Sequence, residues 1–296
     1  MIANSIGHLA TTLFYTGLAL IAFAANSVLC RLALGDGAID ASSFTVIRLL
    51  SGAVVLFVII RINNNDTTAS ARGSWFASLM LFLYAITFSF AYITLDTSTG
   101  ALILFGSVQI TMILLSLYSG YRLHAAEWTG IGISFAGFIY LVLPGVTTPS
   151  VYGFLLMTVA GIAWGGYTLK GRGSTTPLLD TAYNFLRTIP FAIILAILTI
   201  NTAHYSATGI VLAIISGAIA SGIGYAIWYR AIRGLSTTQA AVVQLLVPVI
   251  AALGGVIFIA ETVTVRLTIS AIMILGGILI VVAGRYYFDQ LQSGRS

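Results

Sequence analysis

Long apolar blocks separated by short polar breaks run the whole length of the chain. A bilayer-crossing helix needs about 20 mostly apolar residues. Ten stretches meet that description, near 9–33, 41–61, 73–95, 98–120, 126–144, 151–170, 178–200, 207–229, 236–259 and 265–284. The longest polar stretch, Asn63 to Arg72, is too short to hold a domain. The pattern predicts an all-α integral membrane protein of ten transmembrane helices, with its function inside the bundle.

Composition agrees with this pattern. Apolar residues make up 59% of the 296 and charged residues 7%, against about 25% charged in soluble domains, and the mean hydropathy is +1.04. Those figures exclude a water-soluble globule. Cys30 is the only cysteine, which excludes a disulfide scaffold. The net charge of +5 raises the question of nucleic acid, but the bases lie scattered between apolar runs, a pattern of membrane orientation and not of a phosphate-binding face. With the N-terminus inside, nine bases fall at cytoplasmic ends: Arg61, Arg72, Arg122, Lys170, Arg172, Arg230, Arg233, Arg285 and Arg295. Only Arg31 and Arg266 fall outside. Both termini are therefore expected in the cytoplasm of a cell whose inner membrane holds the protein. Ala22-Phe23-Ala24 resembles a signal cleavage site, but no Lys or Arg precedes Arg31, so the segment is expected to stay as the first helix.

Laying the second half over the first at a displacement of 140 brings Leu95, Thr97 and Ala101 onto Leu235, Thr237 and Ala241. Phe88 falls on Trp228, Gly137 on Gly277, and Arg48 within one position of Arg187. The chain thus divides into two five-helix repeats, 1–145 and 146–296. Five is odd, so the second copy enters from the opposite face, giving an inverted-topology repeat of the kind that alternates access about a midplane site.

Particular residues carry a resemblance. Helix one has Phe23-Ala24-Ala25-Asn26 and helix two Arg48; the second half has Ala163-Trp164-Gly165-Gly166-Tyr167, Arg187, Pro248 and Glu261. In these stretches, and along its whole length, the chain resembles the drug/metabolite transporter superfamily in its EamA-type branch. Within that branch it is most similar to YddG-type exporters of aromatic amino acids. Phe23 stands where tryptophan is usual, and Val108 and Tyr121 occupy the places of Pro248 and Glu261, a departure from a symmetric hinge. The resemblance implies export through a central cavity bounded mainly by helices one, three, four, six, eight and nine, with helices five and ten peripheral.

Polar groups inside a bilayer are costly, so each is a functional candidate. Arg48 and Arg187 are the basic residues well inside expected spans. They either snorkel to an interface or bind carbonyls, or attract a carboxylate substrate; their depth and family recurrence favour a structural or gating role. Asp and Glu all fall at helix ends or in loops, so no midplane proton carrier is expected and gradient-driven movement without obligatory proton coupling is. His8, His124 and His204 also sit at ends, which leaves neither a metal site nor a cofactor site. Gln109, Gln244 and Asn26 are either helix–helix glue or hydrogen-bonding groups for a substrate. Tyr84 and Phe88 share a face of helix three, Tyr225 and Trp228 lie on helix eight, and Trp164 is too far inside helix six to belong to the interfacial belt. These side chains are expected to form an amphiphilic aromatic site. Gly132 with Ala136, Gly254 with Gly255 and Gly276 with Gly277 are expected to permit close packing. Pro190 and Pro248 stand mid-helix, as hinges or static bends.

The absence of H-E-x-x-H, of G-x-S-x-G and of an intramembrane His or carboxylate argues against an enzyme. The expected function is a carrier of aromatic or apolar amino acids or related amphiphilic metabolites, working in a lipid bilayer on a small-molecule substrate. The alternatives are a drug or metabolite exporter of other specificity and a non-saturating channel. The Gly-rich helix faces serve folding and dimerisation equally and leave the oligomeric state open.

Overall fold

The computed structural model describes residues 2–63, 73–118, 124–143, 149–171, 174–232, 235 and 243–293. Asp66, Arg72, Tyr121, Arg122, Arg172, Arg233, Thr237, Ala241 and Arg295 lie outside the described residues. The described chain is helical, with one isolated antiparallel bridge between Ile39 and Tyr205. Its helices are α1 (Ile2–Gly35), α2 (Ala41–Asn63), α3 (Trp75–Ala91), α4 (Thr97–Tyr118), α5 (Ala125–Val142), α6 (Val151–Gly171), α7 (Pro177–Thr199), α8 (Ala207–Ala231), α9 (Val247–Ile259) and α10 (Val265–Ser293).

Among the described residues seven of these, α1, α2, α4, α6, α7, α8 and α10, are long and apolar enough to cross a bilayer. α3 and α9 are shorter apolar helices of 17 and 13 residues. The shortening has local causes. α3 ends where Tyr92 to Leu95 turn back, the Leu95 N–H bonding to the Ala91 carbonyl at 3.0 Å. α9 was expected to begin near 236, but its described part starts at Val247 after a turn at Leu245–Leu246. Pro248 therefore sits in the first turn of a helix, where its missing N–H costs nothing, and is not the mid-helix proline expected. Pro190 is inside α7.

Large apolar side chains cover the outside, with Phe14, Val54, Ile197, Leu198, Ile257 and Ile272 more than half exposed. Such a continuous apolar exterior suits lipid and not water.

The packing partners repeat through the chain. α3 packs on α6, and five helices later α8 packs on α1; α4 packs on α6 as α9 packs on α1; α2 packs on α8 as α7 packs on α3. α2 also packs on α7, α4 on α9, and α5 on α10. At the α5–α10 seam a Cβ on Gly130 would meet the Gly277 carbonyl, and one on Gly277 would meet the Gly130 carbonyl. Between them the Ser134 hydroxyl donates to the Ile274 carbonyl at 3.1 Å. Gly132 and Gly276 instead face open space, because Gly130, Ser134 and Gly137 recur at helical spacing on one face of α5 and Gly132 falls off it. Gly254 abuts Val28 of α1, and Gly255 abuts Thr97 and Glu261.

Two carboxylates fasten the ends of α7. Asp40, before α2, accepts the Ser43 N–H at 2.9 Å and the His204 N–H at 3.0 Å. Asp180, in the first turn of α7, accepts the Gly73 N–H at 2.8 Å, while Asn184 accepts the Ser74 N–H at 2.8 Å. Gly73 has φ of +67°, a left-handed conformation that glycine takes without penalty. Asp40 thus ties the start of α2 to the segment that follows α7, and Asp180 with Asn184 ties the start of α7 to the start of α3.

Burial pushes the Asp40 carboxyl up, but the Ser43 and His204 donors outweigh it and hold its pKa below the ordinary carboxylate value. A carboxyl with a lowered folded-state pKa contributes stability that is full above its unfolded value, about 3.9, and lost as pH falls through the folded value. Thermal unfolding in detergent should therefore lose stability below about pH 4 less steeply in Asp40→Asn than in the wild type. Parallel acid profiles for the two proteins would contradict this.

Candidate functional site

A small pocket opens at the centre of the bundle. α1 contributes Phe23 and Asn26, α3 contributes Tyr84 and Phe88, and α4 contributes Leu104 and Phe105; Trp164 of α6 and Tyr225 of α8 complete it. The four-residue spacing of Tyr84 and Phe88 puts both on one face of α3. Their rings lie 5.3 Å apart, and the series continues from Tyr84 to Trp164 at 4.9 Å and from Trp164 to Tyr225 at 5.1 Å. Tyr167 stands 5.4 Å from Trp164, and Phe23 meets Tyr225 edge-on at 5.9 Å. Offset and edge-on pairs at these distances are favourable, so the walls form one connected aromatic surface. Among the described residues no Asp or Glu lines the pocket.

Behind this surface lies Arg48 of α2, 2% exposed. Its Nη2 donates to the Tyr84 hydroxyl at 2.9 Å and its Nε to the Ser221 hydroxyl at 3.4 Å. The guanidinium carbon is 4.8 Å from the Phe88 ring centre and 5.2 Å from that of Tyr84. Asn26 donates from its amide to Ser221 at 3.1 Å and accepts from the Ser216 hydroxyl at 2.5 Å. The two serines come from a local irregularity. α8 is α-helical over Ala207–Ile214 and Gly224–Ala231 but widens to a π-helix over Ile215–Ile223. Such segments are rare and concentrate at functional sites. Here the segment presents Ser216 and Ser221 to Asn26, and Ser221 also to Arg48. Within it Gly217 lies so close to α2 that a Cβ would overlap the Arg48 carbonyl and the Ser51 hydroxyl.

A second polar cluster closes one end of α1, α4 and α9. Ala260 turns the chain after α9 with φ of 56°, which carries the Glu261 carboxylate across Gly255 to the start of α4. There it accepts the Thr97 N–H at 2.8 and 3.0 Å and the Thr97 hydroxyl at 2.9 Å. Arg31 approaches Glu261 and Asp96, each at 3.7 Å, and donates to the Tyr92 carbonyl at 3.2 Å.

The profile of the EamA-like transporter family matches residues 151–283. Over 274 residues the chain is 47% identical to an uncharacterized protein of Pseudomonas aeruginosa, an alignment covering 93% of this chain and 95% of that one. This chain belongs to the EamA-like transporter family. Two Archaeoglobus fulgidus proteins, each named an uncharacterized transporter, are similar to it at 26% and 25% identity; both alignments cover 69% of this chain, with 73% and 74% of theirs. A solved crystal structure aligns with a TM-score of 0.61 and 18% identity, covering 90% of this chain and 98% of that one, and so shares the fold.

In this EamA-like transporter, five of the eight residues expected to bind substrate, Trp164, Tyr84, Phe88, Tyr225 and Asn26, come together around the pocket. Trp228 does not line it; its ring packs behind Phe23 at 5.6 Å. Gln109 is buried on α4 one turn beyond Phe105, and Gln244 is partly buried just before α9, both outside the lining. Arg187 is half-buried with its guanidinium 5.8 Å from the Trp75 ring, away from the pocket. Pro190 is exposed on α7. Sequence reasoning missed Leu104 and Phe105 as lining residues. It also passed over Phe23, although that residue opens the motif that ends in Asn26.

Proposed function

We propose that this transporter moves aromatic or apolar amino acids by alternating access, in the direction of export, without obligatory proton coupling. The observation that carries this reading is the connected aromatic wall from Phe88 through Tyr84 and Trp164 to Tyr225, around a pocket free of acidic side chains among the described residues. Aromatic faces bind ring-bearing side chains by stacking, and a proton carrier would need a buried carboxylate. In this reading ten helices form two inverted repeats, 1–145 and 146–296, in an inner membrane with both termini cytoplasmic. The exchange of packing partners at five-helix intervals supports the symmetry. So do Asp40 with Asp180 and the bonded pair Ser134 with Ile274, each separated by the same 140 positions as the sequence repeat.

Uptake of radiolabelled amino acids into proteoliposomes, with and without a pH gradient, tests the reading. Saturable phenylalanine and tryptophan flux without a gradient is expected; flux only with an imposed gradient would refute the uncoupled carrier. Trp164→Ala should raise the half-saturation constant for phenylalanine and tryptophan about three- to tenfold and that for alanine much less. The stacking surface lost is worth about 0.5–1.5 kcal/mol beyond area, and 1.4 kcal/mol is tenfold. Equal losses for phenylalanine and alanine would make Trp164 part of the scaffold.

A further inference from the structure

The charge on Arg48 has no counter-ion among the described residues. Nη2 is engaged by Tyr84 and Nε by Ser221, but Nη1 has no hydrogen-bond partner although the side chain is 2% exposed. Among the described residues Tyr84, Tyr225 and Cys30, two phenols and a thiol, lie near enough to act on the charge. The Phe88 and Tyr84 faces offset part of the burial cost, yet a ring face gives Nη1 no lone pair. A buried guanidinium with an idle donor is unfavourable, and such groups are normally paired. Arg187, the counterpart in the second half, is only half-buried.

Everything the guanidinium touches leads to the pocket. Tyr84 and Phe88 line it, and Ser221 bonds to Asn26, which lines it as well. The missing negative charge is therefore missing beside the place where a substrate would sit. We propose that Arg48 anchors the substrate's carboxylate, so that the carried molecules are restricted to those bearing one. The planar fork of an arginine suits a carboxylate's two oxygens. A zwitterion's ammonium then finds the faces of Trp164 and Tyr225, and no acidic side chain is needed to receive it. The proposal rests on the pocket being the transport site, and it names the carboxylate as the head group that recognition requires.

The test compares L-phenylalanine with L-phenylalaninamide, and phenylacetate with phenylethanol, as competitors of flux and as quenchers of tryptophan fluorescence in wild-type protein. At least tenfold weaker binding of the two analogues that lack a carboxylate is expected. Arg48→Met should abolish the discrimination, and Arg48→Lys should retain the preference at reduced affinity. Equal affinity for phenylalanine and its amide in the wild type would overturn the anchor and leave the aromatic carrier standing. If aliphatic carboxylates compete as well as phenylalanine and depend on Arg48, the anchor stands and the aromatic reading falls. Because the wild-type comparison decides by itself, a poorly folding Arg48 variant does not protect the proposal.

Discussion

Glu261→Ala should cost about 3 kcal/mol of stability, seen as a fall in thermal midpoint of roughly 6–12 °C in detergent. The carboxylate is 9% exposed and serves several groups at once. It accepts the Thr97 N–H, one of the donors that α4 leaves unsatisfied at its start, and its charge complements the positive end of that helix. It also faces Arg31, whose side chain is 21% exposed. Truncation strands the Thr97 N–H and hydroxyl and leaves Arg31 with Asp96 and the Tyr92 carbonyl, and removing one side of a partly buried pair is the expensive way to break it. Glu261→Gln keeps an acceptor for Thr97 and loses only the charge, so it should cost less than half as much. If alanine and glutamine were equally mild, the ends of α4 and α9 would be held by apolar packing and not by this carboxylate.

Gly217→Ala should be the most damaging glycine-to-alanine change among the described glycines. The added Cβ would collide with the Arg48 carbonyl and the Ser51 hydroxyl. Backbone cannot rotate away as a side chain can, so α2 and α8 must separate. Overpacking typically costs about 1–3 kcal/mol and occasionally more, and the rigid obstacle puts this site at or beyond the upper end. Displacement of α8 would also move Ser216 and Ser221 off Asn26, so transport should fail even in surviving protein. Gly132→Ala and Gly276→Ala are the controls, because a methyl at either meets nothing within 4 Å. There alanine should gain up to about 1 kcal/mol of helix propensity. Fluorescence-detected size exclusion after a heat step ranks the three. A Gly217→Ala protein as stable as the wild type would mean that the α2–α8 approach is not tight.

Most of the helical layout could be read from apolar blocks because hydropathy is local: α2, α6 and α7 lie within two residues of their expected ends. The errors come from effects that span several helices. Pro248 inside an apolar block looks like a kink, and only the turn at Leu245–Leu246 shows that the proline starts the helix. The π-helix in α8 leaves no periodicity signal, since its small residues, Gly217 and Gly222 among them, fit an ordinary packing face equally well. Gly132 and Gly130 are indistinguishable in sequence; helix rotation alone decides which one meets Gly277. At the pocket, aromatic spacing found Tyr84 and Phe88, and depth within the span found Trp164. Arg48 is visible in the sequence as a deep base, but only the structure surrounds it with phenols and rings and, among the described residues, no ion-pair partner. Trp228 followed Tyr225 along α8 and was assigned to the wall. It is one ring too far back, behind a Phe23 that the motif itself contained.

The two carboxylate fastenings at opposite ends of α7 have a mechanical consequence. Asp40 holds the backbone at His204, and Asp180 holds the backbone at Gly73, so α7 is pinned at one end to the start of α2 and at the other to the start of α3, like the knuckle of a door hinge. A carrier that rocked open on alternate sides would then keep α7 fixed against these neighbours, while α5 and α10, which pack chiefly on each other, would be free to move relative to it. Spin labels across α2 and α7 should keep a fixed separation through the transport cycle while labels on α5 and α10 move relative to them.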